Sequence, residues 1–121
     1  MSASFRVVRL NATPETEWFY VAAAGGITNT TDVALAAAAG PGLKVYLTSL
    51  QLKNTNATAT QVVVKDGSTI IWRGHASASP LTTDSIVFAS PIHTSNNTAL
   101  NIACVTTGAA LLVNAQGYIA P

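Results

Sequence analysis

Gln61-Val62-Val63-Val64-Lys65-Asp66-Gly67-Ser68-Thr69-Ile70-Ile71-Trp72-Arg73 carries the clearest local instruction in this 121-residue chain. Two runs rich in β-branched residues flank Asp66-Gly67, and such residues suit extended backbone, where a branched Cβ packs well on a pleated surface. Asp-Gly between two such runs calls for a two-residue type I′ turn, because both central positions need positive φ. An antiparallel hairpin is expected here.

Toward the N-terminus, Leu43, Val45 and Leu47 alternate on one parity, and Leu50 and Leu52 continue on the other. The phase slips at Thr48-Ser49, as one inserted residue, a β-bulge, would make it do. Asn54 to Thr60 is a polar loop. The stretch Asp32 to Gly42 has two readings. Asp32 could cap a short alanine-rich helix that Gly40-Pro41 ends. Eight residues are marginal for a helix, however, and the surrounding segments are extended, so strand is the preferred reading with helix as the alternative. Glu17-Trp18-Phe19-Tyr20-Val21 is an aromatic strand closed by Gly25-Gly26, and three consecutive aromatics force at least one ring out of the sheet. Residues 1–16 form an arm or a first edge strand.

Toward the C-terminus, Gly74 to Pro80 is a loop of small residues. Ser85 to Ala89 is a strand that Pro91 stops. Leu100, Ile102 and Cys104 alternate on one side of another, Thr107-Gly108 turns the chain, and Ala109 to Ile119 makes the last. Seven or eight short strands with Gly, Pro, Asn and Thr between them give an all-β fold, an antiparallel β-sandwich or jelly roll, as one domain over residues 17–121.

Composition narrows the function. Charged residues are 9% of the chain and the net charge is +1, against about 25% charged in an ordinary domain. Ser, Thr, Asn and Gln supply a polar but neutral surface. There is no basic cluster for nucleic acid, and no apolar stretch approaches the roughly 18 to 20 residues of a spanning helix. No apolar segment follows Arg6 and Arg9, so a secretory signal is not expected, and the sequons at Asn11, Asn29, Asn56 and Asn96 match the frequency of Thr and Asn. A neutral surface lacks the repulsion that keeps monomers apart, which predicts self-association.

The chemistry-bearing residues are few. Cys104 reads as a small buried hydrophobe rather than a reactive thiol. His75 and His93 read as surface histidines. A triad from Asp84, Ser85 and His93 can be written down, but the Gly-x-Ser-x-Gly elbow is missing and inventory is not geometry. The five carboxylates, Glu15, Glu17, Asp32, Asp66 and Asp84, read as solvated charge or turn chemistry. Two histidines and one cysteine are too few for a zinc centre. The expectation is no enzyme, no cofactor and no metal. Arg6, Arg9, Trp18, Phe19 and Tyr20 are the candidate partner-binding residues, because arginine and aromatics are enriched where interfaces bind tightly.

Gly40-Pro41-Gly42-Leu43 leading into Tyr46-Leu47-Thr48-Ser49-Leu50-Gln51, then Val64-Lys65-Asp66-Gly67 with Ile71-Trp72-Arg73-Gly74, Asn97-Thr98-Ala99-Leu100-Asn101 and Val113-Asn114-Ala115-Gln116-Gly117-Tyr118 resemble the small decoration, or cement, proteins of tailed double-stranded DNA bacteriophage capsids. The resemblance spans about three quarters of the chain. It implies a β-sandwich or jelly roll, a homo-oligomer, commonly a trimer, and a structural virion protein made in the host cytoplasm. Its partner would be the major capsid protein on the outside of the head, with no nucleic acid and no membrane involved. The alternative is a carbohydrate- or receptor-binding jelly-roll module of a phage fibre or small lectin, which an exposed Trp18 or Trp72 beside Asp and Asn would favour.

Overall fold

A computed structural model describes residues 16–78 and 83–121. Among these residues eight strands follow one another: β1 Thr16–Val21, β2 Val33–Ala36, β3 Lys44–Asn54, β4 Thr60–Asp66, β5 Thr69–Ala76, β6 Asp84–His93, β7 Leu100–Cys104 and β8 Leu111–Ala120. They form two four-stranded sheets, β1-β8-β3-β6 and β2-β7-β4-β5. Every ladder is antiparallel. First pairs with eighth, second with seventh, third with sixth and fourth with fifth, so the chain is one long hairpin rolled into two sheets, the jelly-roll arrangement. The β4–β5 hairpin lies at its centre.

The hairpin is present, but its turn is displaced by one residue. Asp66 pairs with Thr69, so Gly67-Ser68 are the two turn residues. Gly67 has φ +61°, and neither Asp66 nor Ser68 has positive φ. Positive φ at the first central position alone belongs to a type II′ turn, which places glycine there and frees Asp66 to stay in the ladder. The Asp66 carboxylate accepts bonds from the Ser95 amide at 3.0 Å and the Ser95 hydroxyl at 2.6 Å. Both ends of the Gly67 backbone are also tied. Its N–H donates to Ala99 O at 2.9 Å, and its carbonyl accepts from Asn101 Nδ2 at 2.9 Å. These tertiary bonds outweigh the local preference for type I′. The ladder absorbs the shift at Val64/Lys65, where Ile71 becomes an extra residue on β5. Ile71 and Trp72 are consecutive, yet both pack against the core.

The expected bulge on β3 lies between Leu47 and Ser49, in the ladders to both neighbours. Val45, Leu47 and Leu50 are wholly buried and Leu52 nearly so. Val62 and Val64 from β4, Leu100, Ile102 and Cys104 from β7, and Leu111, Val113 and Ala115 from β8 complete the middle of the core. Each Val or Leu buried in this way contributes roughly 1.5 to 3 kcal/mol relative to exposure. The alanine-rich stretch is a strand, with Leu35 turned inward by a bulge between Ala34 and Ala36.

Pro91 does not stop a strand. β6 runs through it to His93, with Phe88 to Pro91 looping out opposite Thr48 between the pairs Ser49–Val87 and Leu47–Ile92. β6 is an edge strand, so proline's missing N–H costs no ladder bond. Phe88 from this bulge meets Trp72 edge-on, with ring centres 6.2 Å apart at 86°.

Among the described residues three polar side chains, those of Asn54, Thr60 and Thr94, are buried, and each is satisfied. Thr94 Oγ1 accepts from the Val45 amide at 3.0 Å. Thr60 Oγ1 accepts from the amides of Val105 and Thr106, and Asn54 bonds Thr58, Asn56 and Ala110 across the loop ends. Buried polar groups with partners avoid the desolvation cost of unpaired ones. Trp18 Nε1 is the exception among the described residues: it is buried and has no partner.

Candidate interaction surface

β1 alternates, and the alternation sorts its aromatics. Trp18 and Tyr20 turn toward the core, half-buried, while Glu17, Phe19 and Val21 point away from it. Phe19 is 79% exposed and Val21 71%. The expected outward ring is Phe19.

Register then assembles a surface from four strands. Phe19 aligns with Gln116, Gln116 with Ser49, and Ser49 with Val87, giving one row across β1, β8, β3 and β6. Val87 at its far end is 80% exposed. A parallel row holds Val21, Asn114, Gln51 and Ser85, and a third holds Glu17, Tyr118, Tyr46 and His93. Aligned residues on neighbouring strands share a face, with strands about 4.8 Å apart. The first two rows line a shallow groove of about 350 Å³ without a charged residue. Its rims are apolar, Phe19 and Val21 on one side and Val87 on the other, and its floor is amide and hydroxyl.

The third row is aromatic. Tyr46 and Tyr118 stack with ring centres 4.8 Å apart at 7°, and His93 lies 5.1 Å from Tyr46. The Tyr46 hydroxyl donates to the Pro121 carbonyl at 2.9 Å, which fixes the stack. A smaller hollow of about 220 Å³ beside it is lined by Glu17, Phe19, Thr48, Gln116 and Tyr118, with Trp18 and Gly117 behind.

The other sheet presents a different outer face. Lys65 bridges to Asp32 at 2.8 Å, and Arg73 donates to Gln61 at 3.2 Å. The β1-β8-β3-β6 face also carries charge, Glu17 on β1 and, on the outward parity of β3, Lys44 and Lys53, but none of these lines the groove of the first two rows.

Of the candidate residues named from sequence, Arg6 and Arg9 lie outside the described residues. Phe19 is on the outer face, and Trp18 and Tyr20 support it from beneath. Val21, Val87, Tyr46, Tyr118 and His93 belong to the same surface and were not singled out by sequence. Their signal was the outward parity of each strand, which names a face only once the neighbouring strands are known. Cys104 is buried on the inward side of β7, and burial pushes its thiol above the ordinary 9.0, while a bond with Thr60 pulls it the other way. His93 Nδ1 lies 2.9 Å from the Thr94 carbonyl, and Asp84 and Ser85 pair with Leu52 and Gln51, well along β6 from His93. The three do not form a triad. Among the described residues, no three His, Cys, Asp or Glu side chains are grouped to hold a metal, and no helix is long and apolar enough to cross a membrane.

No protein-family model matches the chain, and no curated protein sequence matches it. Among solved structures it is similar to a chain of the virus-like particle of extra small virus from the giant freshwater prawn Macrobrachium rosenbergii, determined by electron cryo-microscopy. The identity is 13% and the TM-score 0.44, over 94% of this chain and 82% of that one.

Proposed function

We propose that this chain is a structural protein of a virion, a jelly-roll decoration protein that lays its β1-β8-β3-β6 face on the outside of a capsid. The observation that carries the reading is a groove without a charged residue, on whose rims Phe19, Val21 and Val87 are each more than two thirds exposed. Apolar side chains this open contribute about 25 cal/mol for each Å² that a partner covers, and a row of them across four strands fits a flat partner better than a small ligand. The sequence resemblance to capsid decoration proteins supports the choice of partner, the major capsid protein. In this reading the protein is a homo-oligomer that works by adding contact area between capsid subunits, and it catalyses no reaction and takes no cofactor. Arg6 and Arg9 are proposed as further anchors on the capsid.

An exposed Trp18 or Trp72 beside Asp and Asn would have favoured the sugar-binding reading. Trp18 is half-buried against the core and Trp72 is half-buried against Phe88, so neither favours it.

The test is co-sedimentation with empty, expanded heads assembled from the major capsid protein encoded nearest this chain. Wild-type protein is expected to pellet saturably, and a Phe19→Ser/Val87→Ser double variant that keeps its fold is expected to remain in the supernatant. Wild-type protein that stays soluble beside the heads at tens of micromolar overturns the reading.

A further inference from the structure

A jelly roll has four strand edges, and three of them here carry something that hinders pairing. β6 is interrupted by its wide bulge and by Pro91. β5 has the extra residue Ile71 and presents Arg73. β2 is only four residues long, is bulged at Leu35, and begins beside the Asp32–Lys65 ion pair. Short, bulged, proline-bearing or charged edges are the usual means of keeping strands from pairing with other chains.

β1 has neither bulge nor proline along its six residues, and its one charge, Glu17, sits next to its first residue rather than at its middle. Its ladder to β8 runs through six consecutive pairs, from Thr16–Ile119 to Val21–Asn114, without a shift. Among the described residues β8 is its one ladder neighbour. The Ala22 amide donates to the Val113 carbonyl at 3.0 Å, one step beyond the last pair. In an antiparallel ladder the N–H and C=O of a residue point the same way, and the direction alternates along the strand. Thr16, Trp18 and Tyr20 therefore share Ala22's direction, toward β8. Glu17, Phe19 and Val21 turn theirs to the open edge, where no backbone bond reaches them among the described residues.

We infer that the open edge of β1 is a self-pairing site, at which two copies of this chain join antiparallel about a two-fold axis into one continuous eight-stranded sheet with Phe19 on the axis. The register follows from geometry. A one-residue slip would set outward residues against inward ones. A two-residue slip in either direction carries Val21 or Glu17 past the end of the partner's strand. The central register alone engages all three open residues, with Phe19 opposite the partner's Phe19, and Glu17 opposite the partner's Val21. It closes six backbone hydrogen bonds, two for each of those three pairs. It also sets no like charges opposite one another, and it gives the most exposed ring on β1 an aromatic cross-strand partner. A second copy is the occupant because β1 complements itself: one register satisfies its backbone and its side chains together, as an isologous contact requires. A ring of three would need β1 to meet a different edge, and the other edges are the obstructed ones. The inference concerns the protein alone and stands whatever the identity of the capsid partner.

The experiment is light scattering and concentration-dependent amide hydrogen exchange on the full chain, with Phe19→Pro and Phe19→Ala variants checked for retained sheet by circular dichroism. Phe19→Pro removes the central N–H on the open side and leaves the β8-facing bonds of Trp18 and Tyr20 in place. Wild type is expected at twice the 12.4 kDa chain mass. The proline variant is expected to raise the dimer dissociation constant about a hundredfold, for two lost backbone bonds and the carbonyls left without donors. Phe19→Ala keeps the N–H and is expected to lose less. In wild type the amides of Glu17, Phe19 and Val21 are expected to become protected as concentration rises. This arm needs no variant and decides the matter if Phe19→Pro does not fold. A single-chain mass at tens of micromolar, a trimer, a dimer indifferent to Phe19→Pro, or exchange at these three amides independent of concentration overturns the inference.

Discussion

Leu47 and Leu50, three residues apart on β3, face the same core, because the ladder steps over Thr48 between the pairs of Leu47 and of Ser49. Thr48 is held in the bulge by its hydroxyl, which donates to the Gln116 carbonyl at 2.9 Å. Removing the residue would put Val45, Leu47, Leu50 and Leu52 at strict two-residue spacing, so all four would still face the core. Deletion of Thr48 is therefore expected to leave a folded protein with a regular β3, and Thr48→Ala, which loses one exposed hydrogen bond, is expected to cost no more than about 1 kcal/mol. Urea denaturation of the two variants checks this. A deletion variant that does not fold would show that the bulge does more than set the facing of these residues.

Gly117 is the close-approach glycine of β8. A methyl group there would run into the Tyr46 carbonyl oxygen and the Trp18 ring. The backbone oxygen cannot move without disturbing the β3–β8 ladder, so Gly117→Ala is expected to destabilise by about 2 kcal/mol or more. A melting temperature equal to that of wild type would contradict the geometry.

Asp66 closes the central hairpin onto the β6–β7 connection through its two bonds from Ser95. Asp66→Ala leaves the turn glycine in place and removes both acceptors. A loss of about 1 to 2 kcal/mol is expected by chemical denaturation, since Ser95 is exposed and water replaces part of what is removed. Asp66→Asn, which keeps one acceptor, is expected to lose less.

Cys104 is expected to react slowly with thiol reagents in the native protein and rapidly in urea. Its raised pKa gives stability a pH dependence of definite sign. The native state keeps the proton at pH values where the unfolded chain has lost it. The contribution is therefore fully present below about 9 and fades as pH rises toward the native value. Cys104→Ser is expected to remove that alkaline slope and to cost about 1 to 3 kcal/mol by burying a hydroxyl among apolar groups, with oligomeric state unchanged. Rapid native labelling would place the thiol at the surface.

Residues 2–13 carry Arg6 and Arg9, which are proposed to anchor the protein on the capsid. Deleting them is expected to leave a folded sandwich and to weaken retention on heads in the sedimentation assay. Unchanged retention would assign binding wholly to the β1-β8-β3-β6 face. A chain that no longer folds would show that the segment belongs to the core.

Sequence by itself determined the features that depend on near neighbours. Alternating apolar residues located the strands and their inward faces, the parity slip at Thr48-Ser49 located the bulge, and Asp66-Gly67 located the hairpin at the centre of the roll. Each is legible because strand period and turn chemistry act over two to five residues. Tertiary structure decided what depends on pairing across the chain. The turn moved to Gly67-Ser68 because Ser95, Ala99 and Asn101 hold it there. Pro91 entered a strand because that strand is at an edge, and Gly117 became essential only when Tyr46 was laid beside it. Phe19 and Val87 share one row, although 68 positions separate them, because β8 and β3 come between them in the sheet. Periodicity says which residues leave a sheet, but only the order of the strands says which of them leave it together and which edge stays open.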